Sequence, residues 1–517
     1  MVKIMFMEKG LSKLFTVIVL VALIVIVIAV YYGVVQTQIQ QTRTSAPLAS
    51  PASTTPTAFP ATQPTTSKPE ETMSPSPTPT PATTIPVAMA EWTPPEKIKA
   101  AWIYVGPVGD FGWSYMHDIG RRVVERLFKD WLETTYVESV SEAQLSEVID
   151  NLVSQGYNVI FTTSFEFMDK TIEAGKRYPN VMFFHCSGYK RRANVGTYFA
   201  DLYQVYYLNG LIAGALTKTG KIGYVAAFTI PEVVRHINAF AIGAKEVGEQ
   251  LGKNITVYVI QIGAWYAPDK AKRAAETLIE RYGVDVIAFT EDSTAIIEYA
   301  QKLYEETGKQ VYVFSHYSPG YVYGPDVVVS GQLVRWEVIY ADILAKIKAG
   351  VYTPYNLENV DYWYLLNTGA VDLGCHIYDN GTVMLINPKF KPVLEQIKVK
   401  DKLTGETVNV YELVMRRYRE MKESFMLTSL QETATTHVYE NIAKIPINYG
   451  TKENPLLKDY YIAGVFDPFT GPLTGYSIEP SRYGEKVTIP EGVRLSHDDL
   501  WSMQWFVDWV VFLSGGG

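Results

Sequence analysis

The sequence predicts an α/β protein of two doubly wound parallel-sheet lobes joined by a hinge, preceded by a transmembrane helix and a disordered Ser/Thr/Pro stalk. Three observations lead there. Short apolar runs alternate with helical patterns from Lys97 onward, the alternation restarts near Gly220, and the stretch before Pro95 has a composition that cannot bury a core. With 517 residues and 47% hydrophobic content, the chain has material for more than one core. A formal net charge of −8 argues against a nucleic-acid partner, which normally meets a basic surface.

Leu14 to Val35 (LFTVIVLVALIVIVIAVYYGVV) is uncharged and almost wholly apolar. At about 1.5 Å rise per residue it spans roughly 30 Å, the thickness of a hydrocarbon core. Lys3, Lys9 and Lys13 precede it and no charge follows until Arg43, which places the N-terminus in the cytoplasm and the rest outside. The run is long for a secretory signal and lacks an A-x-A exit, so an uncleaved cell-membrane anchor over 1–35 is expected. Lys9-Gly10-Leu11-Ser12 also resembles the leader of archaeal pilin-like signal peptides, which are cleaved after the glycine. Residues 36–95 then form a Ser/Thr/Pro-rich stalk, extended by its prolines.

The folded part divides into a first lobe at 96–219, a second at 220–330, and a segment 331–517. That last segment carries hinge crossings, returning pieces of both lobes and a helical insertion at about 387–452. In the first lobe KAAWIYV is a strand, followed by a helix from about Tyr115 to Trp131 and a strand at Thr134–Val140. A helix at Glu142–Gln155, the strand YNVIFTTS, a helix at Glu166–Arg177 and the strand VMFFHCS complete it. A long apolar helix (Leu202–Thr217) leads to the second lobe, where KIGYVAAF, ITVYVIQIG, VDVIAFT and QVYVFSH are strands separated by helices. Trp501 to Ser514 reads as an amphipathic last helix. Cys186 and Cys375, isolated from each other, read as buried thiols rather than a bridge, with no metal-ligand spacing around either. The sequons Asn254-Ile-Thr and Asn380-Gly-Thr fit an outside location.

Open parallel sheets bind ligands beyond the carboxyl ends of their strands, so the strand exits are the segments that matter. Trp113, Phe165, Phe228 and Trp265 stand at four exits, where rings can sandwich a planar ligand or close the top of their own lobe. Ser164 ends the third strand. Asp110 and Asp292 are exit carboxylates in different lobes, able to accept from ring N–H, amino or hydroxyl groups, or to cap the following helices. His117 falls inside the first helix, while His185 and His316 lie in separate exits without the spacing of a zinc site, so hydrogen-bonding or structural roles are expected. There is no G-x-S-x-G, no phosphate-loop lysine and no acid/base pair at diagnostic spacing, and no cofactor or metal is expected.

GPVGDFGWSYMHDIGRR, NVIFTTSFEFMD, GKIGYVAAFTIPEVVRHINAFAIGAKEV, WYAPDKAKRAAETLI, EDSTA and GVFDPFTGPL occur in this order between Lys97 and Phe512. Together they resemble the basic membrane protein family, type I substrate-binding proteins of ABC importers that include purine nucleoside receptors. The resemblance implies a receptor without catalysis that holds a purine nucleobase or nucleoside between its lobes and hands it to permease and ATPase subunits. Asp110 matches the aspartate of the family's first-strand loop, but Gly112-Trp113-Ser114 stands where the nucleoside receptors have Ser-Phe-Asn. The exit Ser315-His316-Tyr317-Ser318 lacks their ribose-binding carboxylate, and Gln332, Arg335 and Trp336 lie where their ribose-binding lysine falls. A free base or another flat heterocycle thus fits as well as a nucleoside. The alternative function is an extracellular nucleoside-processing enzyme on the same scaffold, which fold alone does not separate from a receptor.

Overall fold

The structure is a computed structural model that describes residues 92–423, 426–429, 444–448, 457–463 and 466–513. The anchor expected at 1–35, and the stalk as far as Glu91, lie outside the described residues. Among the described residues no helix is long and apolar enough to cross a membrane.

In the first lobe β1 (Ile98–Ile103), α1 (Trp113–Leu127), β2 (Leu132–Val137), α2 (Glu142–Ser154), β3 (Val159–Thr162), α3 (Met168–Arg177), β4 (Met182–Cys186) and β5 (Val195–Ala200) follow in order. Every residue of β3, β4 and β5 is buried, as expected where helices cover both faces of a parallel sheet. After α4 (Tyr203–Leu216), the second lobe contains β6 (Lys221–Ala226), α5 (Pro231–Gln250), β7 (Thr256–Gln261), α6 (Pro268–Thr277), β8 (Val286–Thr290), α7 (Ala295–Thr307), β9 (Tyr312–Ser315) and β10 (Val328–Val334). The chain then returns through α8 (Trp336–Lys348), which packs on α1, to β11 (Asp361–Tyr364), and crosses again to β12 (Val371–Leu373).

The first sheet has the order Met426–Ser429, Leu457–Ala463, Lys444–Asn448, β11, β5, β4, β3, β1, β2. Its strands from β11 to β2 are parallel, and the three later strands add antiparallel. The second sheet runs β12, β10, β9, β8, β6, β7, Val510–Phe512, parallel except for β12. In both, the order reverses beside the first strand of the lobe, which opens a crevice at the strand exits. All residues of α4 are buried, which explains why its sequence is apolar on every side rather than amphipathic. It lies so close to α5 that a side chain on Gly243 would strike the Tyr207 carbonyl.

Three expectations need correction. Strand β5 has no counterpart in the sequence reading, because VGTYFA carries a glycine at its second position and runs almost directly into α4. The amphipathic helix expected from Trp501 to Ser514 is instead a short helix, His497–Trp501, followed by strands Trp505–Val507 and Val510–Phe512. WFV and VVF are aromatic and β-branched, and each finds a partner strand: the first pairs with Leu473–Ser477, the second with β7. Among its described residues, the insertion at about 387–452 is only partly helical. Helices Lys391–Gln396 and Val410–Glu423 flank the hairpin Lys398–Lys400/Thr407–Asn409, while Met426–Ser429 and Lys444–Asn448 extend the first sheet. Cys186 and Cys375 are both free and buried.

Candidate functional site

A small cavity lies where the strand exits of the two lobes meet. The first lobe contributes Trp113 after β1, Ser164 and Phe165 after β3, and Ser187 after β4. The second contributes Ile230 and Glu232 after β6, Trp265 after β7, Thr290 at the end of β8 and Asp292 after it, and His316 and Tyr317 after β9. Apolar rings and a few convergent polar groups make this a small-molecule site by composition.

Trp113, Ser164, Phe165, Trp265, Asp292 and His316 therefore line one cavity, as a set of residues chosen from exits would if the lobes face each other. Asp110, Phe228 and Trp336 do not line it. The Asp110 carboxylate accepts the backbone N–H groups of Gly112 (2.9 Å), Ser114 (3.0 Å) and Tyr115 (2.9 Å), so it caps the positive end of α1. Phe228 instead packs edge-on against Trp265, with ring centroids 5.0 Å apart. Trp336 is fully buried at the start of α8 and stacks on His117 at 4.2 Å. His117 is itself buried, with Nδ1 2.5 Å from the Tyr340 hydroxyl, which gives it a structural place. His185 likewise bonds the Ser164 carbonyl through Nε2 at 2.7 Å.

The lobes touch around the cavity. Asp292 of the second lobe accepts the Trp113 backbone N–H at 2.9 Å, and the Ser318 hydroxyl donates to the Phe111 carbonyl. Ser187 donates to Glu232 at 3.1 Å, and Glu232 also accepts the Tyr317 hydroxyl at 2.9 Å. Only glycine fits at position 112, since a Cβ there would collide with the Asp292 side chain. Gly112 of the first exit thus serves the approach of one lobe to the other. Three residues at these contacts hold left-handed backbones: Phe111 (φ 62°), Ser187 (φ 64°) and Tyr317 (φ 59°). Such conformations cost non-glycine residues about 1–3 kcal/mol each and collect where surrounding structure imposes them for a function.

Burial makes the two carboxyls of the cavity wall reluctant to ionise. Burial raises Glu232, and burial together with the nearby Asp110 raises Asp292 well above the ordinary range. Asp110 is raised by burial despite its backbone hydrogen bonds. Behind the wall, burial pushes Glu291 from 4.5 up to about 8. Burial also drives His316 well below its usual value, so its ring is neutral. A carboxyl with a raised folded-state value holds its proton longer when folded than when unfolded, so stability is greatest below the ordinary carboxyl range and falls as pH rises toward the raised value. The thermal midpoint is therefore expected to fall between pH 4.5 and 8, and Glu291→Gln should flatten that fall. Parallel pH profiles for the two proteins would remove Glu291 from this role.

Ser187, Ile230, Glu232, Thr290 and Tyr317 were not singled out from the sequence, although each lies in or beside an exit. Glu232 directly follows Pro231 at the start of α5, where an acidic residue has a sufficient explanation in the helix dipole. Serine, threonine and tyrosine at an exit carry no pattern that separates them from ordinary turn residues.

Residues 97–412 match the model of the family Bmp, described as ABC transporter substrate-binding protein PnrA-like. The chain belongs to this family. It is a solute-binding protein of an ABC system, and the family evidence points away from an enzyme. A curated relative, the purine-binding protein BAB2_0673 of Brucella abortus (strain 2308), is 35% identical over 279 residues, covering 54% of this chain and 75% of its own length. The putative ABC transporter glucose-binding protein TsgA13 of Haloferax volcanii is 35% identical over 275 residues, covering 53% of this chain and 66% of that protein. Among solved structures, an ABC solute-binding protein from Aeropyrum pernix K1 is 20% identical with a TM-score of 0.48, covering 63% of this chain and 87% of that one.

Proposed function

We propose that this protein is a membrane-tethered, extracellular receptor that captures a purine-type ligand, nucleobase or nucleoside, between its lobes and delivers it to the permease of an ABC importer. The observation that carries the reading is the interlobe cavity walled by Trp113, Phe165 and Trp265, with Glu232 and Asp292 among them. Aromatic faces suit a flat heterocycle. The carboxyl oxygens of Glu232 and Asp292 can accept from the N–H groups on the edge of such a ring. The purine-binding Bmp relative supports the same ligand class. Ligand that touches both lobes favours the closed arrangement, and this shift in population is the signal a permease reads.

Calorimetric titration with adenine and adenosine tests the reading directly. Phe165 is half-buried at the head of a single 3₁₀ turn, so its removal tests the site with little effect on the core. Phe165→Ala is expected to weaken purine binding about tenfold or more, the scale of a lost aromatic anchor, with an unchanged thermal midpoint. Equal affinity in both proteins would take Phe165 out of the site, and release of free adenine from adenosine would replace the receptor with a nucleosidase. Protease accessibility on whole cells tests the extracellular placement: a shielded lobe pair would overturn it.

A further inference from the structure

Tyr206 belongs to α4 and is not among the residues that line the cavity. Its ring is fully buried, and its hydroxyl meets two partners at 2.7 Å each, the Phe289 carbonyl and Nδ1 of His316. Strands β8 and β9 pair only as far as Ile287 and Val313, so the Phe289 carbonyl lies beyond the paired stretch. A phenol has one hydrogen to give, and a carbonyl can only accept. That hydrogen therefore goes to Phe289, and the second bond runs the other way, with Nδ1–H of His316 donating to the phenol oxygen. In a neutral imidazole a proton on Nδ1 leaves Nε2 bare, and burial keeps this ring neutral. His316 lines the cavity, and its Nε2 has no partner among the described residues.

We infer that Tyr206 fixes His316 as a hydrogen-bond acceptor facing the cavity, and that this selects a ligand bearing an amino group there: within the purines, a 6-amino ring over a 6-oxo ring. The inference rests on the purine reading and narrows it to one kind of base. An amino group donates to Nε2, whereas a carbonyl in its place sets lone pair against lone pair in a buried site. The rest of the wall does little to hold a carbonyl. The Trp113 indole donates to the Thr163 carbonyl, the Ser164 hydroxyl to Glu166, and the Ser187 and Tyr317 hydroxyls to Glu232. Among the described residues, the Trp265 indole and the Thr290 hydroxyl are the side-chain donors of the wall not committed elsewhere. Tyr206 is thus a positioning residue: it acts on the ligand only through the tautomer of His316.

The tautomer is read first, by nitrogen NMR of the ligand-free whole chain carrying isotope-labelled histidine, with the His316 signal assigned by its loss in His316→Gln. A proton on Nδ1 is expected, and a proton on Nε2 overturns the proposal. Calorimetry then compares adenine with hypoxanthine, and the unaltered protein is expected to bind adenine at least tenfold more tightly. Tyr206→Phe keeps the ring but frees His316 to take either tautomer, so that preference should fall at least threefold. His316→Gln, whose amide can turn either its oxygen or its N–H to the ligand, should bring the two affinities close together and serves if Tyr206→Phe does not fold. Equal affinities in the unaltered protein, or an unchanged ratio in the folded variants, overturn the selection. If neither base binds, the purine reading fails by itself, and the tautomer decides the remainder: Nδ1–H supports a fixed acceptor in the cavity and Nε2–H overturns it.

Discussion

Trp113→Ala is expected to lower folding stability by about 3–5 kcal/mol, the range for deleting a large buried aromatic side chain, and to abolish measurable ligand binding. The ring is almost fully buried, and its indole N–H donates to the Thr163 carbonyl at the end of the neighbouring strand exit. It meets His117 at 4.6 Å, Tyr317 of the other lobe at 5.3 Å and Trp336 at 5.4 Å. Truncation therefore opens a void in a cluster that joins α1, α8 and the second lobe, and leaves a buried carbonyl without its donor. Denaturant titration reads the loss as a lower midpoint with an unchanged slope. A midpoint within the error of the unaltered protein would mean that the cluster does not hold the first exit in place. The contrast with Phe165 is useful, since both rings line the cavity but only Trp113 is also part of the core.

Asp292→Ala is expected to open the lobes. In the structure this carboxyl group reaches across the cleft to the Trp113 N–H and fits against Gly112, so it belongs to closure as much as to the cavity wall. Leaving that buried N–H without an acceptor costs about 1–3 kcal/mol in the closed form only, because water satisfies it when the lobes part. The closed population should fall about ten- to a hundredfold, and apparent ligand affinity with it wherever closure limits binding. Small-angle scattering of the ligand-free protein should show a larger radius of gyration, and Asp292→Asn, which keeps an acceptor oxygen, should return most of the difference. Identical scattering and affinity for Asp292→Ala would show that the contact does not hold the lobes together.

Much of the architecture was legible because βαβ units repeat a strong signal: buried strands such as VIFT and MFFHC between helices with one apolar face. Strand order was not legible, since the placement of β1 between β2 and β3 depends on which helices pack on which face. The terminal strands were misread for a related reason. WFVDWVVF fits a helical period, and the edges of two distant sheets decide against it. At the site, exits were found from topology, but position in an exit does not tell where a side chain points. Phe228 and Trp265 occupy comparable places, yet only Trp265 lines the cavity, and Phe228 packs against its ring. Asp110 and Asp292 likewise differ only in structure. The first turns back onto its own helix, and the second reaches the opposite lobe.

The strand Val510–Phe512 has a consequence for how the protein is made. Val510 pairs with Val257 at the edge of the second sheet, so β7 emerges from the ribosome long before the segment that covers it. Until the chain through Phe512 has been synthesised, β7 presents unpaired backbone groups to any other extended chain nearby. The first sheet waits in the same way for Lys444–Asn448 beside β11. During synthesis both lobes therefore stand as incomplete sheets, and the interval before their last strands arrive is when this protein most needs protection from aggregation.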